Sequence, residues 1–163
     1  MFPTDLTVAA VIENNGNYLL VEEHAGGRVV LNQPGGHIES GESPERAVLR
    51  EVLEETGCIV SCRELIGVYL WIHPQTRQQF LRIVYVTDFH GVDETRKPDE
   101  NIVRKLWLTA EDIEKRRNQL RSPVVLRCVQ DYASGRRQAD DTLTGLMPLQ
   151  NNVDAMIAHA DLV

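Results

Sequence analysis

Three carboxylates crowd one short stretch of this sequence: Glu51, Glu54 and Glu55. At about 100° per residue they fall within one arc of a helix wheel. Leu49, Val52, Leu53 and Thr56 fall opposite, as a face for a core. Carboxylates at these spacings repel, at roughly 0.2–0.5 kcal/mol per pair. A hard divalent cation reverses that penalty, because oxygen clusters suit Mg²⁺ or Mn²⁺. An acidic helix face is more often simply solvated, since Glu is a good helix former. Support for the metal reading comes from the neighbouring residues. Gly35 and Gly36 let backbone groups approach a ligand closely. Arg50 can hold the Glu51 carboxylate by a charge-assisted hydrogen bond. Glu39 and Glu42 add acid near the loop and the helix start.

The elements that must position these groups follow from local signals. Pro44 to Thr56 is the clearest helix, with Ser43 as N-cap, Pro44 at the first helical position and Gly57 closing the end. Leu6 to Glu13 and Tyr18 to Glu23 read as strands joined by Asn14-Asn15-Gly16-Asn17, a β-hairpin. Arg28 to Asn32 is a short extended piece that runs into the turn Gln33-Pro34-Gly35-Gly36. The stretch from Ile59 is mixed in pattern. Glu64 to Ile72 and Gln79 to Phe89 read as strands joined around Pro74, and Lys105 to Leu108 as another short one. Thr109 caps a helix beginning at Ala110, and a further helical pattern follows Ser122-Pro123 from Val124 to Tyr132. This order predicts an α+β or α/β sandwich with a mixed sheet. Residues 1–140 are expected to form one domain and 141–163 a C-terminal tail, with Asn151 to Leu162 open between a terminal helix and disorder.

The chain has 163 residues, 42% apolar and 25% charged, which suits one soluble domain with a real core. Its formal net charge of -7 argues against stable nucleic-acid binding, which relies on basic surface. An acidic protein that binds a polyphosphate must supply local positive charge, and a bound cation is the obvious source. Three cysteines, Cys58, Cys62 and Cys128, form no CxxC pair, so neither a disulfide framework nor a zinc site is expected, and Cys128 reads as core. No stretch approaches a spanning helix and the start is no signal peptide. A cytoplasmic monomer or small homo-oligomer with no membrane partner is the expectation.

The stretch from Gly36 to Cys58, GHIESGESPERAVLREVLEETGC, resembles the signature box of the Nudix hydrolases. The matching positions are Gly36, Glu42, Arg50, Glu51, Val52, Glu54, Glu55 and Gly57, and Cys58 stands where the box has an aliphatic residue. Asn32 to His37, Trp71-Ile72, Phe80-Leu81-Arg82 and Leu120 to Pro123 look similar to the NudJ type of that family, across roughly residues 6–137. The resemblance implies an α/β/α sandwich around a mixed β-sheet. It implies Glu51, Glu54 and Glu55 as metal ligands or catalytic base, the Gly35 carbonyl as a further ligand, and Arg50 orienting Glu51. It also implies Mg²⁺, with Mn²⁺ able to replace it. The substrates implied are nucleoside tri- and diphosphates and thiamine-pathway pyrophosphates. The chemistry would be metal-assisted hydrolysis, in which a carboxylate takes the proton of an activated water.

Glu51, or a carboxylate from another loop, is the candidate base. Asp99 and Glu100 are expected as a solvated acidic turn, with an outside ligand or base as the alternative. Trp71, Tyr69 and Phe80 could stack on a base, though each serves a core equally well. Arg28, Arg77 and Arg82 could pair with phosphate oxygens, and His37 could touch one. The other functions to weigh are a module that binds a nucleotide or ADP-ribose without cleaving it, and a hydrolase of RNA 5′ ends. Retention of every box carboxylate favours catalysis.

Overall fold

The computed structural model describes residues 3–139 together with Thr142 and Leu143. The segment expected as a terminal helix or disorder, 151–162, lies outside the described residues. Among the described residues, six strands and three helices follow one another: β1 (Thr4–Asn14), β2 (Asn17–Ala25), β3 (Arg28–Asn32), α1 (Pro44–Thr56), β4 (Cys58–Ile72), β5 (Gln79–Val92), β6 (Ile102–Thr109), α2 (Ala110–Lys115) and α3 (Pro123–Ala133). A 3₁₀ turn at Arg117–Gln119 links the last two helices.

The β1–β2 hairpin turns through Asn15 and Gly16, both at positive φ, as a two-residue turn that matches strand twist requires. β1 runs parallel to β5, from Thr4 against Gln79 to Ile12 against Thr87. β4 is antiparallel to β5 and ends the sheet order β3-β2-β1-β5-β4. β2 pairs antiparallel with β3 on one edge and β6 on the other, and meets β1 only at Glu13–Tyr18 and Asn14–Asn17. The sheet is therefore mixed. Successive residues of β1 point to opposite faces. Val8, Ala10 and Ile12 pack with Ala47, Val48 and Val52 of α1. Ala9 and Val11 pack with Val125, Cys128 and Val129 of α3. Helices thus cover both faces, which is the expected α/β/α arrangement.

The expected strands extend further than their sequence pattern. β4 begins at Cys58, not Glu64, because bulges at Ile59/Val60, Cys62/Glu64 and Leu65/Gly67 break the two-residue alternation. β6 runs from Ile102 to Thr109, paired along β2. The wheel of α1 is rotated from expectation: its buried residues are Ala47, Val48, Val52, Glu55 and Thr56, while Leu49 and Leu53 are half-buried. Glu55 therefore enters the interior at 5% exposure, while it keeps the same side of the helix as Glu51.

Candidate active site

The loop before α1 is stitched to β1. Val8 and Ala10 donate their N–H groups to the carbonyls of Gly36 and Pro34, and Ile38 N–H donates to Leu6 O. In extended backbone the intervening residue faces the other way. Gly35 accordingly donates its N–H to Glu55 Oε2 at 2.9 Å. Its carbonyl accepts no hydrogen bond among the described residues. Backbone crowding explains both glycines. A Cβ on Gly35 would collide with the backbone of Val8 and Ala9, and one on Gly36 would stand 2.5 Å from Glu51 Oε2.

Helix α1 starts where Ser43 accepts from Arg46 N–H at 3.3 Å and ends at Gly57, in the left-handed conformation at φ 68. Arg50 then reaches back over the loop. Its Nε and Nη2 hold both oxygens of Glu42 at 2.9 Å each. Nη1 bonds Glu51 at 2.8 Å and Glu54 at 3.0 Å, and Nη2 also donates to the His37 carbonyl at 3.0 Å. These partners push the guanidinium pKa further up and hold the Glu42 carboxyl below its ordinary value. Burial acts in the opposite sense on Glu51 and Glu55. It raises Glu51 despite Arg50, and it pushes Glu55 up to about 8 against the help of Gly35 N–H.

Glu51 and Glu55 line a cavity of about 320 Å³. Its other walls bring together residues far apart in sequence. Trp71 of β4 stacks on Phe80 of β5 with centroids 5.5 Å apart. Beside them Arg82 donates from Nη1 to Asn32 Oδ1 at 3.1 Å, and its buried Nε finds no partner. Asn32 in turn donates to Glu23 Oε1 at 3.0 Å, which also accepts from Arg121 at 2.7 Å. Asp99 reaches the rim because its N–H is tied to Glu54 O at the end of α1.

The cavity thus gathers Glu51, Glu55, Gly35, His37, Arg82 and Trp71 of the expected set, with Phe80 and Asp99. Glu54 stays outside its lining and is joined to it through Arg50. Arg28 lies at the start of β3 and lines an adjoining groove that shares Trp71, Phe80 and Arg121 with the cavity. His37 is exposed, 3.6 Å from Asp5. Tyr69 instead supports the core, donating to Asp131 at 2.8 Å. Glu23, Asn32 and Arg121 were not assigned a task from sequence. Glu23 did leave a trace, since it continues the buried alternation Leu19, Val21, Glu23 with a charge.

The donor set suits a hard divalent cation: the cavity carboxylates Glu51 and Glu55, the second bonded only by a backbone N–H, and an uncommitted carbonyl. Among the described residues, no three His, Cys, Asp or Glu side chains already converge as a metal cage. Arg50 draws Glu51 and Glu54 to itself, while Glu55 faces Gly35.

Comparison with known proteins places these features in a family. Residues 3–128 match the model of the NUDIX domain. The chain is 37% identical to Phosphatase NudJ of Shigella boydii over 137 residues, 84% of this chain and 88% of that protein. It is 36% identical to Phosphatase NudJ of Escherichia coli K12 over the same shares of each chain. A solved NUDIX hydrolase from Nitrosomonas europaea superposes with a TM-score of 0.85 at 39% identity, covering 90% of this chain and 100% of the other.

Proposed function

From the premise that this chain belongs to the Nudix hydrolase family, and is an enzyme that hydrolyses phosphoanhydride bonds, we propose that it is Mg²⁺-dependent and acts on small nucleotide or pyrophosphate substrates. Nucleoside tri- or diphosphates and thiamine-pathway pyrophosphates are the leading classes. The observation that carries the reading is one cavity lined both by the carboxylates Glu51 and Glu55 and by the cations Arg82 and Arg121.

Glu51, Glu54, Glu55 and the Gly35 carbonyl would hold Mg²⁺ or Mn²⁺. When bound, the cation polarises a phosphoryl oxygen and lowers the pKa of a coordinated water. Glu51, raised in pKa by burial, is the base that takes the proton of the attacking water. Arg50 positions Glu51 and Glu54 through one shared nitrogen. Arg82 lines the cavity and would meet phosphate oxygens through its guanidinium. Trp71 offers a ring for stacking, and His37 flanks the entrance. Arg28 contributes only to a substrate long enough to enter the adjoining groove.

The test is release of phosphate and pyrophosphate, with Mg²⁺ and with EDTA. The panel is nucleoside di- and triphosphates, ADP-ribose, thiamine diphosphate, hydroxymethylpyrimidine diphosphate and triphosphorylated RNA. Release is expected from small substrates in Mg²⁺ alone, with Glu51→Gln lowering it about 10²–10⁴-fold. Full activity in EDTA, or in both Glu51→Gln and Glu55→Gln, overturns the metal site. Silence across the panel with ligand still bound assigns a binding module, and cleavage of RNA alone assigns the RNA 5′-end reading.

A further inference from the structure

Glu23 of β2 is a charge set into the interior, with only 3% of its surface exposed. A buried carboxylate needs partners for its charge and its lone pairs. Oε1 has two: Asn32 Nδ2 donates to it at 3.0 Å and Arg121 Nη1 at 2.7 Å. Oε2 accepts no hydrogen bond among the described residues. The polar side-chain atoms sealed in the interior without a partner are those of Gln33 and Nε of Arg82, among the described residues. Oε2 of Glu23 is not one of them. It opens on the cavity that Glu23 lines together with Glu51 and Glu55. Asn32 and Arg121 grip one oxygen, which leaves the other in a fixed direction.

A carboxylate paired with an arginine accepts hydrogen bonds and does not donate them. Phosphate oxygens also accept, and they carry charge of the same sign. The polyphosphate end of a substrate is therefore not what meets Oε2. The field of Glu23 already reaches the acidic wall of the cavity: with burial as the main cause, its charge helps to push Glu55 up. The partner that fits Oε2 is an N–H on the organic end of the substrate. The same cavity holds a surface for such a group. Trp71 and Phe80 stand opposite each other across β4 and β5 and stack with 27° between their planes. From this pair to Glu23 the wall is continuous. Arg82 follows Phe80 on the same face of β5 and donates to Asn32 at 3.1 Å, and Asn32 donates to Glu23.

We propose that Glu23 is a specificity-determining residue, whose Oε2 accepts a hydrogen bond from an amino group on the heteroaromatic ring of the substrate. The substrates it selects are amino-substituted nucleoside or pyrimidine phosphates. This rests on the hydrolase reading above for the phosphate end and adds the recognition of the organic end. The ring takes its stacking from Trp71 and Phe80, and Glu23 reads its edge. An analogue without the amino group leaves a carboxylate oxygen unpaired in a desolvated site, a penalty that shape alone does not impose. Asn32 and Arg121 act through Glu23, as positioning residues.

Hydrolysis by the full chain in Mg²⁺ provides the test. Adenosine triphosphate is compared with purine riboside triphosphate, and cytidine triphosphate with pyrimidin-2-one riboside triphosphate. Each second member lacks only the amino group. The amino member is expected to have a kcat/KM about 10–100-fold higher. Glu23→Gln keeps the shape of the side chain. Its carbonyl takes the position to which Asn32 and Arg121 donate, so its NH₂ faces the cavity and accepts nothing. The preference should then disappear through loss on the amino member, with thermal unfolding confirming the fold. Equal kcat/KM for both members in the unmodified protein overturns the proposal. So does a Glu23→Gln variant that slows both members alike, which leaves Glu23 a structural role, or one that raises the Mg²⁺ requirement for both alike, which makes it a metal ligand. If no triphosphate is hydrolysed, the hydrolase reading fails, and calorimetric Kd values for adenosine and purine riboside monophosphates decide this one. An amino preference there supports Glu23, and equal values overturn it.

Discussion

The guanidinium of Arg50 bonds Glu42, Glu51, Glu54 and the His37 carbonyl together, a set that only a planar fork can span. A lysine offers one nitrogen and releases most of these partners. Arg50→Lys is therefore expected to lower kcat/KM about 10–100-fold, the range found when groups that orient ligands are lost. Its thermal unfolding should show a loss of about 1 kcal/mol. The neighbouring glycines should separate in the opposite way. Gly36→Ala meets only the Glu51 carboxylate, so activity should fall while the melting temperature stays within about 2–3 °C of the original. Gly35→Ala meets backbone of β1, so the melting temperature itself should drop. Glu51, Glu54, Glu55 and Arg50 were legible in the sequence because a helix fixes their spacing over one and a half turns. The rest of the cavity was not, because Glu23, Asn32 and Arg121 are joined only by the pairing of β2 with β3 and by the turn before α3. Arg28 shows the same limit. It was chosen for its charge, yet it begins the strand that Asn32 ends, about 13 Å away.

At the scale of elements, α1 is fixed at both ends by local chemistry, and this made its limits readable residue for residue. Its C-terminus also has three tertiary supports: Asp93 N–H donates to Gly57 O, Asp99 N–H to Glu54 O, and Lys105 Nζ to Thr56 O at 2.7 Å. Gly57 holds φ 68, and a Cβ there would stand 3.1 Å from Asp93 O. Gly57→Ala is expected to cost about 1–2 kcal/mol for the left-handed conformation, read by urea unfolding with an unchanged m-value. The hairpin was equally legible, since Asn15-Gly16 carries its own turn geometry. β4 was misread because three bulges reset its alternation, a feature that depends on the partner strand and leaves no period in the sequence. The parallel pairing of β1 with β5, and the double pairing of β2, had no local signal at all.

At the scale of the whole molecule, Asp131 of α3 binds three separate parts together. It accepts from Tyr69 of β4 at 2.8 Å, from Arg127 of its own helix at 2.9 Å and from Arg136 beyond it at 3.3 Å. Burial works against its charge, but the Tyr69 hydroxyl and the arginines outweigh it and hold the carboxyl below its ordinary value. A depressed folded-state pKa gives stability that is full above the unfolded value, near 3.9, and lost as pH falls through the folded value. Asp131→Asn should therefore lower stability at neutral pH and flatten the acid limb of a pH–stability curve below about pH 4. An unchanged acid limb would place the acid sensitivity elsewhere.

The ladder between β1 and β5 also sets an order of events. During synthesis β1 leaves the ribosome first, and its parallel partner follows only after the loop, α1 and β4 have emerged. Non-local parallel pairing of this kind is slow to close. Until it closes, β1, whose Ala10 and Val8 N–H groups anchor the carbonyls of Pro34 and Gly36, lacks its partner on the other edge, so the hydrolytic centre is expected to be completed only once β5 has docked.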